Sequence, residues 1–207
     1  MIMAFFLLAC YVLGSVSGSL LMGKTRGVDI RTMGSGNAGG TNALRTQGWK
    51  FALGVVVIDI GKGVLAVALA QRFFPGDAAV AFGAMLMAVI GHIWPVFHDF
   101  RGGKGAATLV GGLMLVWPQS LLPLLLVWVL CLLLTGYVGL STVLAACSLL
   151  LSAGLFHGGP VQWLFAGLSA GLLIYSHRAN LERLRQGNEL RFEKARVLGR
   201  LLFGPRG

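Results

Sequence analysis

The sequence predicts an all-α polytopic membrane protein with seven transmembrane helices, its N-terminus outside and its C-terminus in the cytoplasm. Three observations lead there. Of 207 residues, 56% are apolar and only 12% are charged, about half the charge of an average soluble domain. The apolar residues gather into runs close to the roughly 20 that cross a bilayer as helix, separated by breaks rich in glycine, proline and charge. The 17 Lys and Arg, against 7 Asp and Glu, fall on alternate breaks. A soluble globule and a disordered chain are excluded by this composition. The three cysteines, Cys10, Cys131 and Cys147, lie in apolar runs without metal spacing and do not make a disulfide scaffold.

The first span is Ile2 to Met22. Leu7 to Cys10 resembles a lipoprotein cleavage box, but no basic region precedes it and the apolar run continues beyond it, so cleavage is not expected. A polar, glycine-rich loop follows from Lys24 to Lys50. Phe51 to Ala70 is the second span, and Pro75-Gly76 turns the chain. Ala78 to Phe97 is the third. His98 to Gly105 is a second glycine-rich loop. From Ala106 the chain is apolar to Phe156, broken at Trp117-Pro118-Gln119 and Thr135-Gly136-Tyr137 into a short fourth span, a fifth (Ser120 to Leu134) and a sixth (Val138 to Phe156). After a turn at His157 to Pro160, Val161 to Tyr175 is the seventh. The chain reads as one domain over 1–207, with about 190–207 a basic cytoplasmic tail.

With seven spans, one side of the membrane holds Lys24, Arg26, Arg31, Arg45, Lys50, Arg101, Lys104 and the eight basic residues from Arg178 to Arg206, which is 15 of 17. Only Arg72 falls opposite, and Lys62 lies within a span. Basic loops stay cytoplasmic, which fixes the orientation. The net charge of +10 therefore reads as topology, and no nucleic-acid partner is expected. All three polar segments fall on the cytoplasmic face.

In Gly34-Ser35-Gly36-Asn37-Ala38-Gly39-Gly40-Thr41-Asn42, glycines allow successive backbone N–H groups to face one point. Thr41-Asn42 reads as a helix N-cap pair, and a helix N-terminus beside such a nest suits an anion. Arg45 adds a guanidinium fork that matches phosphate. No lysine follows Gly39-Gly40-Thr41, so this is not a Walker loop. Taken alone, the segment reads more readily as a flexible interhelical turn, since glycine-rich turns are common. In the second loop, Gly102-Gly103-Lys104-Gly105 places a lysine among glycines ahead of a helix start at Ala106-Ala107-Thr108, so the same anion logic applies. The alternative there is a loop anchored at lipid headgroups by Arg101 and Lys104. In the third segment, a continuing helix puts His177, Asn180, Leu181 and Leu184 on one face. His177 suits acid, base or donor chemistry, and the alternative is an amphipathic tail on anionic lipid, which is the reading preferred for Arg183 to Arg206. Asp59 and Lys62, at i, i+3 within the second span, read as a structural pair, and His92 as a packing histidine.

Two anion nests on one face suggest two phosphates, hence phosphoryl or acyl transfer involving a phosphorylated compound. No acidic cluster suits Mg²⁺ and no Cys/His set suits zinc, so neither metal nor cofactor is expected. An anion or phosphate-ester transporter is the competing class. It would normally carry inverted repeats about a midplane site, and no internal repeat is visible. A lipid-phosphate phosphatase is the third class.

The three segments together resemble a known family. Gly34-Ser35-Gly36-Asn37-x-Gly39-x-Thr41-Asn42-x-x-Arg45 is similar to its first motif. Gly91-His92-x-x-Pro95-Val96-Phe97 through Phe100-x-Gly102-Gly103-Lys104-Gly105-x-Ala107-Thr108 is similar to its second, and His177-Arg178-x-Asn180-x-x-Arg183-Leu184 to its third. The family is the bacterial acyl-phosphate:glycerol-3-phosphate acyltransferases (PlsY), and the resemblance runs from Leu13 to about Glu189. It implies transfer of a fatty acyl group from acyl phosphate, rather than from acyl-CoA or acyl carrier protein, to the 1-hydroxyl of glycerol 3-phosphate. It also implies seven helices in the bacterial inner membrane and a site at the cytoplasmic face. Ser35 and the amides of Gly36 and of Gly102 to Gly105 would hold phosphate oxygens, and Arg45 and Lys104 would balance their charge. His177 and Asn180 would position the acceptor, with Thr142 a further contact where relatives commonly carry serine. Ser35, Lys104, His177 and Asn180 are thus the expected catalytic set, and Gly34, Asn37, Thr41 and Asn42 complete the expected binding loop. A monomer in contact with membrane lipid is expected. Gly40 stands where alanine is usual and Ala179 where glutamate is usual, neither being an expected phosphate ligand.

Overall fold

The computed structural model describes residues 1–204 and is helical throughout, with no strand among the described residues. It divides into two compact units, Met1–Pro118 and the chain from Gln119 on.

The first unit contains α1 (Ile2–Gly14), α2 (Gly18–Lys24), α3 (Gly40–Gln47), α4 (Trp49–Phe73), α5 (Ala78–Ile93) and α6 (Ala106–Val116). The expected first span is two helices meeting at 47°. Serine chemistry makes the break. Ser15 Oγ donates back to the Tyr11 carbonyl at 3.0 Å, and the Ser17 side chain caps α2 by accepting from Leu20 N, so the hydroxyls compete with the helical ladder. The second span begins at Trp49, earlier than expected, and runs 25 residues. The third stops at Ile93 instead of Phe97 because Pro95 disfavours helix at the residue before it.

Among the described residues, three helices are long and apolar enough to cross a membrane: Trp49–Phe73, Pro118–Thr135 and Val138–Leu155. The bent pair α1–α2 makes a fourth if it is one span. Ala78–Ile93, Ala106–Val116 and Pro160–Ser176 are apolar but shorter. The 11 residues of α6 reach only about 16 Å, roughly half a hydrocarbon core.

In lipid, helices associate through close packing more than through hydrophobic expulsion, and the α4–α6 crossing shows how. A Cβ on Gly63 would strike the Thr108 carbonyl, and one on Gly111 would strike the Ile60 carbonyl. Backbone therefore lies on backbone, which fixes the start of α6 against the middle of α4. A small-residue cluster of Cys10, Ala66, Ala70, Val80, Ala81, Ala84 and Ala88 packs α1, α4 and α5. A second cluster, with Phe51, Val55, Ile30, Ala38 and Ala43, ties the first polar loop down to α4.

The second unit contains α7 (Leu121–Thr135), α8 (Val138–Leu155), α9 (Pro160–Ser176), α10 (Arg178–Arg185) and α11 (Val197–Phe203). Gly136, left-handed at φ 76°, ends α7 and lets α8 double back. Leu122, Leu125, Leu126, Val129 and Leu130 form an outward wall on α7, as a lipid-facing surface requires.

The tail departs from expectation. Instead of a loose amphipathic strip, residues 189–199 dock onto their own unit. The Arg191 guanidinium lies 4.7 Å from the Tyr137 ring centroid and donates to its hydroxyl at 2.9 Å. Phe192 N donates to the Gly136 carbonyl at 2.8 Å, Arg196 is buried, and a Cβ on Gly199 would strike the Leu134 carbonyl. The cation–π contact and backbone pairing are specific where lipid attraction would be diffuse. Arg206 lies outside the described residues.

Candidate active site

The first polar loop is built around one buried side chain. Asn42, read from the sequence as half of an N-cap pair, does not cap. Helix α3 begins at Gly40 with Gly39 as its N-cap residue and no side-chain cap. Asn42 instead faces the loop. Its Oδ1 accepts from Ser35 N at 2.9 Å, and its Nδ2 lies within 3.1 Å of the carbonyls of Ile30, Met33 and Asn37. A carboxamide offers donors and acceptor together, so one residue ties down both ends of residues 30–37. Gly34 (φ 56°) and Gly36 (φ 71°) supply the left-handed turns. Thr41 and Arg45 stand four apart on one face of α3, with Arg45 in its last turn rather than near its start. Helix α3 ends at Gln47, and Gly48 separates it from α4, which begins at Trp49.

The second loop closes onto the end of α5. Gly102 N donates to the Ile93 carbonyl at 3.2 Å, and Gly103 N to the His92 carbonyl at 3.1 Å. Gly36 N likewise donates to the Met33 carbonyl at 3.0 Å. These three amides, expected from sequence to face phosphate, are engaged within the fold. Gly102 and Gly103 are needed here for closeness. A Cβ on Gly102 would meet Pro95 Cδ at 2.7 Å, and one on Gly103 would meet the Ala38 carbonyl at 2.8 Å. Asp99 and Phe100, both non-glycine residues at φ above 50°, are held in a sparsely populated conformation by Phe100 N and His98 N donating to the Pro95 carbonyl at 3.1 Å each. After Lys104, Gly105 turns left-handed at φ 89° and heads α6. The first-turn amides there have no intrahelical partner, and the helix dipole favours an anion. Thr108 Oγ1, buried in that turn, has no hydrogen-bond partner.

The two loops meet within this unit. Ala38 packs against Gly103, and Arg31 Nη1 donates to the His98 carbonyl at 3.1 Å. Asp29 orients that guanidinium with a 2.8 Å ion pair, and the same Arg31 hydrogen bonding pulls the Asp29 carboxyl below its usual range. Partial burial first, then the Arg31 and Lys24 cations, lower the His98 pKa. Val16, Ser17, Leu21, Lys24, Phe97 and His98 line an open cleft in this unit, apolar along one side and cationic at Lys24.

The second unit carries the third segment. His177 is buried at the α9–α10 junction, and its Nδ1 lies 2.8 Å from the Leu173 carbonyl. A carbonyl only accepts, so Nδ1 bears the proton in the neutral ring and Nε2 carries the lone pair. Asn180 Nδ2 donates to Glu189 at 2.5 Å, and Arg183 Nε donates to the other Glu189 oxygen at 2.8 Å. A Cβ on Gly139 would touch Asn180 at 2.9 Å, so α8 and α10 come close there. Thr142 Oγ1 donates to the Val138 carbonyl at 2.8 Å and accepts from Trp128 Nε1 at 3.2 Å, which ties α7 to α8. Sequence reasoning passed over Glu189, treating it as the edge of the motif. Its signal was an acid, one of three with Glu182 and Glu193, in a segment otherwise rich in arginine.

Long apolar helices carrying these basic, glycine-clamped loops define a helical membrane protein. Comparison with known proteins agrees and goes further. Residues 4–187 match the family model described as glycerol-3-phosphate acyltransferase. The glycerol-3-phosphate acyltransferase of Thermus thermophilus is 43% identical over 188 residues, covering 89% of this chain and 92% of that protein. That of Aquifex aeolicus is 40% identical over 190 residues, covering 91% and 98%. The crystal structure of PlsY, an integral membrane glycerol 3-phosphate acyltransferase, in its glycerol 3-phosphate form superposes with a TM-score of 0.87 at 36% identity over 96% of this chain and 99% of that one. Its lysophosphatidic acid form gives 0.86 at 35% identity, with the same coverage. The chain belongs to the glycerol-3-phosphate acyltransferase family, as an integral membrane acyltransferase of the PlsY kind.

Proposed function

We propose that this protein moves a fatty acyl group from an acyl phosphate to the 1-hydroxyl of sn-glycerol 3-phosphate, giving lysophosphatidic acid and inorganic phosphate. The observation that supports this most is the near full-length likeness to a protein crystallised in a glycerol 3-phosphate form and a lysophosphatidic acid form, an acceptor and an acylated product. In the reaction, the glycerol hydroxyl oxygen bonds to the acyl carbonyl carbon and the carbon–oxygen bond to phosphate breaks. The hydroxyl proton leaves with phosphate oxygen. The donor is already activated, so orientation and charge balance supply the catalysis.

Lys104, beside the first-turn amides of α6, neutralises the phosphate that departs. Arg45, Ser35 and Thr41, with Gly34, Gly36 and Asn37 shaping the backbone, hold a phosphate from the first loop. Gly102, Gly103 and Gly105 set the path of the second loop, and Asn42 sets that of the first. His177 and Asn180 act on the acceptor, and Thr142, three residues beyond the Gly139 contact with Asn180, steadies the α7–α8 pair. The charge asymmetry supports seven membrane-crossing segments in a bacterial inner membrane, with the N-terminus outside and the polar loops at the cytoplasmic face. A single-domain monomer without cofactor is part of the same reading.

The test is phosphate release from palmitoyl phosphate by purified protein in detergent. Release requires glycerol 3-phosphate and matches lysophosphatidic acid formed one to one. Lys104→Ala and His177→Ala lose at least a hundredfold in turnover while staying folded. Wild-type turnover in both variants refutes the site. Phosphate release without acceptor points to a phosphatase, and glycerol 3-phosphate uptake into proteoliposomes without product points to a transporter.

A further inference from the structure

Beneath the second loop lies a buried ionic cluster that the proposed chemistry does not use. Asp59 and Lys62 on α4 are 1% and 4% exposed, and His92 on α5 is 3% exposed. Lys62 Nζ lies 3.0 Å from Asp59 Oδ1, 2.7 Å from His92 Nδ1 and 2.7 Å from the Val16 carbonyl. An ammonium has three donors and no acceptor, and here three acceptors surround it. Nδ1 of His92 therefore accepts, which places the ring proton on Nε2. Asp59 Oδ1 also accepts from Gly18 N at 3.1 Å. The cluster thus joins α4, the α1–α2 break and the end of α5.

Its outer side is the loop. His92 Nε2 lies against Gly103, where a Cβ would stand, and the His92 carbonyl accepts from Gly103 N. On the far side of Lys104, Thr108 is clamped on Gly63, one residue after Lys62. Lys104 is therefore strung between two anchors, both on the same turn of α4 or on a residue bonded to it. Apolar packing would hold helices together without buried charge, which is costly to take out of water. A hydrogen-bonded cluster adds a fixed angle for the His92 ring and so a fixed height for the Gly103 backbone.

We infer that Asp59, Lys62 and His92 are positioning residues that set the Gly102–Gly105 loop, and with it Lys104, at the distance phosphate binding requires. This rests on the proposed role of Lys104. The discriminating readout is KM, because loss of folded enzyme lowers apparent kcat and leaves KM unchanged. His92→Phe, which keeps bulk and removes the hydrogen bonds, raises KM for palmitoyl phosphate or glycerol 3-phosphate at least tenfold. His92→Gln, which keeps a polar group near Lys62, recovers at least part of that rise. Asp59→Asn keeps an acceptor for Gly18 N and removes the charge, and it also raises KM. Should His92→Phe not fold, Asp59→Asn decides alone. Wild-type KM for both substrates in the folded variants overturns the inference while Lys104→Ala remains inactive. Full activity of Lys104→Ala overturns the underlying site instead.

Discussion

Replacing Asn42 tests whether one buried carboxamide organises the first loop. Its Oδ1 holds Ser35 N, and its two N–H donors are shared among three carbonyls within 3.1 Å, so three full hydrogen bonds are at stake. A net hydrogen bond contributes about 1 kcal/mol, and Asn42→Ala therefore costs the ordered loop about 3 kcal/mol. At 1.36 kcal/mol per factor of ten, the ordered fraction falls by up to about a hundredfold, and apparent affinity falls with it. The assay is KM for glycerol 3-phosphate and for palmitoyl phosphate in coupled phosphate release. Asn42→Asp is the sharper variant. It keeps size and the acceptor for Ser35 N, but it turns a carboxylate oxygen towards three carbonyls. It should do at least as badly as alanine. If Asn42 were a helix cap, aspartate would serve as well as asparagine. Wild-type KM in Asn42→Asp would defeat the loop-pin argument.

Further expectations follow from other contacts. Glu189→Gln removes the charge that Arg183 pairs with at 2.8 Å beside Asn180, and a charge-assisted bond of this kind contributes about 2 kcal/mol; a fall in thermal midpoint together with weakened turnover is expected, and an unchanged midpoint would count against it. Gly111→Val forces a side chain onto the Ile60 carbonyl and costs about 3 kcal/mol or more as overpacking, read as loss of folded protein in detergent, whereas Gly61→Ala, where a Cβ meets open space, is neutral. For His98, the folded pKa lies below that of the unfolded chain, so the unfolded state binds more protons and stability drops as pH falls from about 6.5. His98→Gln should flatten that acid limb in thermal midpoints taken from pH 8 to 5, and an identical limb would show that His98 does not contribute.

The apolar segments and the three polar motifs were legible because their signals are local: hydropathy over a run, glycine and cation types over a few positions. What escaped was every contact between distant positions. Nothing in the string joins Lys62 to His92, 30 residues on, although charge inside an apolar helix marks each as needing a partner. Asn42 was misread because capping and loop pinning draw on the same residue types. Gly102 and Gly103 were assigned a role as amide donors when their smallness was the requirement, and composition does not separate the two. The docked tail was hidden because Arg191 and Arg196 look like any lipid-facing base until Tyr137 and Gly136 are seen beneath them. The break at Ser15–Ser17 was legible in principle, since Gly14, Ser15, Ser17 and Gly18 gather there around Val16 alone.

The α4–α6 crossing carries a lesson for anyone hoping to toughen this protein. A joint made of main chain pressed on main chain holds no side chain that a library might improve, and any atom added at Gly63 or Gly111 wedges it apart. Gains in heat tolerance should therefore be sought elsewhere, on the leucine wall of α7 or in the clasp between Arg191 and Tyr137, where substitutions have room to act.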